Sequence, residues 1–254
     1  MKVLYIALLL GVVLLITEGS SGTSSSSFKQ KQMSYSRVKE AFETNEESIK
    51  ELFRKSGLSY PPKKIFLRAF KKEQLLELWV EDKLEFKLLK TYKICANSGV
   101  LGPKRMEGDL QVPEGFYFID VFNPQSKFHL SMRVNYPNES DRILGVKGHL
   151  GGDIYIHGDC VTIGCIPLTD RWIKELYVIS VEAKASSKNP IYVHIFPAKL
   201  NSEGLKVLEK DYSDNPKLIT FWKNLKVGYD YFENHRRLPA ISVDKGGGYL
   251  FSDH

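Results

Sequence analysis

Between Lys64 and Phe196 the chain is cut into short runs of β-branched, aromatic and leucine residues, separated by charged pairs and triplets. That punctuation most restricts what it can fold into. The runs Lys64 to Phe70, Leu75 to Val80 and Leu84 to Ile94 are divided by Lys71-Lys72 and Glu81-Asp82-Lys83, the pattern of meandering strands. Further strands are predicted at Gly115 to Val121, Phe128 to Val134, Asp153 to His157 and Ile191 to Phe196. The period changes on either side. From Arg37 to Phe53 the residues Val38, Ala41, Phe42, Ile49, Leu52 and Phe53 recur at helical spacing, and Gly57 with Pro61-Pro62 ends the pattern. Thr169 and Asp170 offer N-cap chemistry to a helix through Tyr177. Asn215-Pro216 opens another that carries Leu218, Phe221, Trp222, Leu225, Tyr229 and Phe232, a core face. The pairs Lys63-Lys64 and Lys71-Lys72 are expected at solvated strand ends. Gly99 to Pro113, rich in Gly, Pro and charge, is expected to be a long functional loop. At 254 residues and 43% hydrophobic, the chain can bury one full-sized core.

The N-terminus points to a compartment. Lys2 precedes an apolar run of 14 residues, Val3 to Ile16, and a Gly/Ser-rich stretch follows, the layout of a secretory signal. A bilayer-spanning helix needs roughly 20 residues, so a cleaved signal is preferred to an uncleaved anchor. No cysteine follows the run, which argues against lipoprotein processing. A net charge of +6 is spread along the chain instead of gathered in a stripe, so nucleic acid is not favoured. A basic surface also suits anionic cell-envelope polymers.

Cys95, Cys160 and Cys165 are an odd set in an exported chain, so at least one lacks an intramolecular partner. The segment Asp153-Ile-Tyr155-Ile-His157-Gly158-Asp-Cys160-Val-Thr162-Ile-Gly164-Cys165 places a histidine at a strand end and, eight residues on, a Gly-Cys before a helix. A base and a nucleophile are thus within folding reach. An imidazolium or a helix N-terminus would lower the thiol from its ordinary pKa of about 8.5, and the thiolate attacks. Gly164 permits a tight turn, and the amides around Cys165 are candidates for an oxyanion hole. The pattern suits acyl transfer. Three bland readings stay open: Cys165 as a buried small hydrophobe, His157 as a satisfied strand-end histidine, and a metal site from His149, His157, Cys160 and Cys165. The spacing of that last set matches no common zinc module. Cys160 is equally readable as a disulfide partner, a resolving thiol or packing.

The same segment resembles the YkuD-type L,D-transpeptidase family, whose signature is His-Gly followed by Ser/Thr-x-Gly-Cys; here these are His157-Gly158 and Thr162-Ile163-Gly164-Cys165. Within that family the short spacing looks most like the YafK subgroup. Pro113 to Tyr117, Asn123-Pro124 to Asn138 and Phe221-Trp222 to Pro239 look similar too, so the resemblance covers roughly residues 60 to 250.

The resemblance implies an α+β fold: a mainly β catalytic domain of mixed sheets with an N-terminal helix and a C-terminal helical extension. It implies Cys165 as nucleophile and His157 as general base and later acid. Gly164, Thr162 and Gly158 would support the oxyanion and the turn. It implies no metal, no cofactor, and a peptidoglycan stem-peptide donor carrying meso-diaminopimelate. Many members have His and Arg where Ile163 and Pro167 stand. Arg133, Lys147, Arg171 and Tyr155 are therefore candidates to grip the anionic donor. The expected organisation is a signal peptide at 1–19, a flexible linker at 20–34, a helical segment at 35–60, a catalytic domain at 61–198 and a packed extension at 199–254, with no transmembrane span in the mature chain. The expected activity is transpeptidation. The alternatives are a hydrolase that cleaves a diaminopimelate-linked peptide or a murein-linked envelope lipoprotein, and an inactive wall-binding module.

Overall fold

The computed structural model describes residues 23–253. The expected signal peptide lies outside them. Among the described residues no helix is long and apolar enough to cross a membrane.

Eight strands form one mixed sheet: β1 (Ile65–Phe70), β2 (Leu75–Asp82), β3 (Glu85–Lys93), β4 (Gly115–Asn123), β5 (Ser131–Val134), β6 (Tyr155–His157), β7 (Ile166–Pro167) and β8 (Tyr192–Phe196). Their order is β3-β2-β1-β8-β4-β5-β6-β7. The meander β1–β3 is antiparallel, as its charged turns require. Strand β8 enters late in the chain and lies between β1, to which it is parallel, and β4, to which it is antiparallel. The six residues of β1 are all buried because the strand is central and covered on both faces. The α+β class follows from the element order.

One face is covered by α2 (Ser36–Lys55) and α4 (Asp170–Ser186). Val38, Phe42, Ile49 and Phe53 of α2, with Ile173, Leu176 and Tyr177 of α4, pack on Ile65, Leu67, Val193 and Ile195 in one cluster. The predicted helix after Thr169 runs nine residues past Tyr177 because Val178 to Ala183 continue its buried stripe. Against α4 lies α1 (Thr23–Met33), where the sequence reads a flexible linker. Three tertiary contacts correct that expectation. Phe28 meets Phe122 edge-on at 5.3 Å, Lys29 pairs with Glu182, and Tyr177 donates to Gln32 at 2.7 Å. The composition of α1 alone gave no apolar stripe to read.

The opposite face is covered by α6 (Pro216–His235), with α5 (Ser202–Asp211) and the hairpin β9 (Ala240–Val243) and β10 (Tyr249–Ser252) beside it. Trp222, Leu225 and Tyr229 pack on Phe70, Phe116 and Phe196, and Phe232 packs on Phe66 and Trp79. Within this layer Arg68 is 4% exposed, donates to Glu77 at 2.8 Å and to Glu233 at 2.6 Å, and stacks on Tyr229 and Phe232. The buried charge is therefore fully partnered.

Lys71, expected at a solvated strand end, is buried. It meets the Glu114 carboxylate at 2.9 Å and donates to the carbonyls of Gly102 at 2.7 Å and Val112 at 3.0 Å. Glu114 in turn accepts from the Gly102 amide at 2.7 Å and the Trp222 indole at 2.8 Å. The long loop from Cys95 to Glu114 wraps over the strand end, and this buried pair fastens it to α6.

Candidate active site

In the parallel ladder of β6 and β7, Ile156 stands opposite Ile166 and His157 opposite Pro167. Both isoleucines belong to the core under α4, so strand alternation turns Tyr155 and His157 to the other face. Carrying the register back one step puts Cys165 beside Tyr155 on that same face. The sulfur accepts the Tyr155 amide at 3.5 Å and faces the Asp153 carbonyl at 3.6 Å. Thiol and imidazole thus sit on one side of a two-strand ladder, two residues apart along it. Helix α6 covers β1, β8 and the start of β4, and leaves this end of the face open.

Each turn around the pair has a local cause. Thr162 Oγ1 accepts from the amides of Gly164 at 3.2 Å and Cys165 at 2.8 Å, and its hydroxyl donates to the Cys165 carbonyl at 2.9 Å. The amides nominated from sequence as oxyanion donors are therefore already engaged by Thr162, which builds the turn itself. Gly164 has φ +135°, and a Cβ there would lie 3.0 Å from the Gln111 carbonyl oxygen on the long loop. At Gly158 a Cβ would lie 2.6 Å from Asp170 Oδ1. That carboxylate oxygen accepts the Asp159 amide at 2.9 Å, so the first residue of α4 holds the turn that follows His157.

His157 is 1% exposed and its ring lies 4.8 Å from that of Phe128. Its Nδ1 is hydrogen-bonded to the Gly158 carbonyl. A carbonyl only accepts, so Nδ1 carries the proton and Nε2 keeps its lone pair. Burial lowers the imidazole from 6.5, against smaller opposing effects of the Gly158 carbonyl and Asp159. Burial also raises the Cys165 thiol above 9.0, against the Tyr155 amide and the charge of Lys104. This corrects the expectation of a lowered thiol pKa. The resting pair is neutral thiol and neutral imidazole, and α4 begins five residues too late to act on the sulfur.

Cys95 and Cys160 form a disulfide, and Cys165 is the free cysteine. The Cys95 amide also donates to the Pro167 carbonyl at 3.1 Å. Residue 95 therefore ties down the chain on both sides of Cys165. The disulfide removes Cys160 from any metal set, and among the described residues no three His, Cys, Asp or Glu side chains cluster to hold an ion.

Beside Asp153 opens a polar cleft of about 660 Å³ lined by Arg133, Asp120, Asn135, Arg142 and Glu107. Arg133 stands opposite Tyr155 in the β5–β6 ladder and binds both oxygens of Asp120 at 3.0 Å. Of the cations singled out from sequence, only Arg133 lines this cleft. Lys147 is exposed on the loop before β6, and Arg171 is exposed over Trp172 at 4.5 Å. Arg142, on α3 (Glu139–Leu144), was missed. Its signal was the capping box in which Asn138 and Asp141 exchange side-chain and backbone hydrogen bonds.

The profile described as "YkuD: L,D-transpeptidase catalytic domain" matches residues 65–193, from β1 into β8. The proteins called "Putative L,D-transpeptidase YafK" of Escherichia coli strains K12 and O157:H7 are each 36% identical over 184 residues, 72% of this chain and 72% of theirs. Among solved structures, the helical cell shape determining protein Pgp2 from Campylobacter jejuni aligns at TM-score 0.44 and 18% identity over 74% of this chain and 75% of its own. Bd1075 from Bdellovibrio bacteriovorus aligns at TM-score 0.40 and 21% identity over 68% and 61%. By the extent of the profile match and the 36% identity to the two Escherichia coli proteins, the chain belongs to the YkuD family of L,D-transpeptidase catalytic domains.

Proposed function

We propose that this chain is an exported cysteine acyltransferase of peptidoglycan that acts at meso-diaminopimelate in stem peptides through a Cys165 thioester. The observation that carries the reading is the free thiol on the same face as a histidine whose hydrogen bonding leaves Nε2 basic. In the first half-reaction Nε2 takes the thiol proton as Sγ bonds to the scissile carbonyl carbon. Collapse of the tetrahedral intermediate breaks the C–N bond, His157 delivers that proton to the leaving amine, and a thioester remains. An acceptor amine then attacks the thioester, loses its proton to His157, and restores the thiol. Water in place of the amine makes the same chain a hydrolase, and a murein-linked lipoprotein is a substrate class for that outcome.

Arg133 and Arg142 are the cations placed to meet the donor's carboxylate, with Asp153 and Glu107 available to its ammonium. A disulfide beside the nucleophile supports export into an oxidising space.

The test is incubation of residues 23–254, and of its Cys165→Ala and His157→Ala variants, with muropeptides, followed by mass spectrometry. A Cys165-dependent new diaminopimelate amide bond is the expected product, and Cys165-dependent gain of water assigns the hydrolase instead. His157→Ala is expected to slow either reaction by about 10²–10⁴-fold. Turnover that persists in Cys165→Ala overturns the reading.

A further inference from the structure

A cavity of about 1090 Å³ lies away from Cys165. It lies where the end of α6 and the start of β9 cover the first residues of β8 and the last of β2, on the same sheet face as the thiol. Its wall presents rings and amides. The rings of Tyr231 and His235 lie 4.4 Å apart at the end of α6, tilted by 35°, Tyr192 stands on β8, and Asn189 and Asn234 flank them. Behind them His194 is 2% exposed, between the rings of Phe66 and Phe116. Burial holds its pKa down at about 3, so it adds an uncharged ring.

The charged groups of the wall do not select an ion. Lys64 is paired with Glu81 at 2.9 Å, Arg237 donates to the Leu84 carbonyl at 3.2 Å, and Tyr231 donates to Asp253 at 2.8 Å. Cations and carboxylates are nearly balanced. Aromatic faces beside planar amides and already-paired charges suit a ligand with apolar C–H faces and many neutral hydroxyls.

The cavity and the cleft at Asp153 meet neighbouring positions of the sheet. Tyr192 of the cavity and Phe118 of the cleft are register partners in the β8–β4 ladder. From β8 the same face runs across β4, β5 and β6 to Cys165, four strand steps or on the order of 19 Å. A soluble muropeptide fits at one end of such a track, whereas a polymer can occupy both.

We infer that the cavity lined by Tyr192, Tyr231 and His235 is a saccharide-binding subsite that takes the uncharged sugar backbone of a glycan strand while an attached peptide reaches Cys165. The polymer's identity rests on the function proposed above, but saccharide binding does not, and the two are tested separately.

The full chain and its Tyr231→Ala/His235→Ala double variant are titrated with chitotetraose and with peptide-free glycan strands, by calorimetry and by NMR of the tyrosine rings. Both substituted side chains are at the surface, and equal melting temperatures check the fold. Saccharide binding by the wild type that moves the Tyr192 and Tyr231 resonances, and is weakened at least tenfold in the variant, is expected. On peptidoglycan, the variant's loss of turnover on intact sacculi is expected to exceed any loss on soluble muropeptides at least fivefold. Absence of saccharide binding at millimolar ligand, binding unaffected by the substitutions, or Tyr192 and Tyr231 responding only to a stem peptide overturns the inference. If no muropeptide turns over, the proposed function fails, and the saccharide isotherm still decides the subsite.

Discussion

A buried histidine and a half-buried thiol share one electrostatic consequence: each is pushed toward its uncharged form. For His157 the sign is set by burial, which favours the neutral ring, so its protonation falls below pH 6.5. For Cys165 burial favours the thiol, so ionisation falls above pH 9. The turnover rate is therefore expected to be level through neutrality, to fall as the pH drops through a value below 6.5, and to show no thiolate absorbance at 240 nm at pH 7. A thiolate band at pH 7 that His157→Ala abolishes would establish an ion pair and reverse this assignment. The two residues could be singled out in the sequence because a short strand and a glycine turn set them eight residues apart. Their ionisation was not, because it depends on Phe128 and the long loop that bury them. Thr162 was legible as a nearby hydroxyl, but its grip on the Gly164 and Cys165 amides is a fact of turn geometry.

At the scale of elements, the strands could be read because charged turns bound them, whereas β7, with two residues, is too short to show a period; α5 was passed over although Leu205 and Leu208 share a face and Asn201 caps it. The disulfide could not be chosen from sequence either, since Cys95 and Cys160 are 65 residues apart and the strand order brings them together. Its place gives it two separable effects. Closing a loop of 65 residues stabilises the fold by about 4 kcal/mol in the chain-entropy view. It also anchors the chain five residues before Cys165. Cys95→Ser/Cys160→Ser is accordingly expected to lower the midpoint of denaturation and, at temperatures where the variant is still folded, to lower turnover several-fold. Equal turnover per folded molecule would reduce the disulfide to a staple of stability, and circular dichroism beside a single-turnover assay distinguishes the two.

The whole molecule is a sheet with two unlike faces. Helices α1, α2 and α4 cover one, while α6 covers only half of the other and leaves the strands that carry His157 and Cys165 open. Such an arrangement demands that the sealed face be rigid, and α1 belongs to that seal. The sequence reading placed the domain's edge after this helix because Ser, Lys and Gln dominate it; only its contacts with β4 and α4 make it part of the fold. Removing residues 23–34 exposes part of Phe122 and Tyr177, forfeits the burial of Phe28, and leaves the nearly buried Glu182 carboxylate without Lys29. Together these are worth about 3 kcal/mol. In a chain of this size that corresponds to a fall in melting temperature of roughly 6–12 °C. The comparison is between chains that begin at residue 23 and at residue 35, melted under one condition, with Phe28→Ala in the longer chain as the intermediate case. If the shorter chain melts with the longer one, α1 is an appendage, and the sealed face ends at α2. If Phe28→Ala alone reproduces about half of the loss, the helix is held by its one aromatic anchor, and the rigidity that the open face relies on extends to the first described turn of the chain.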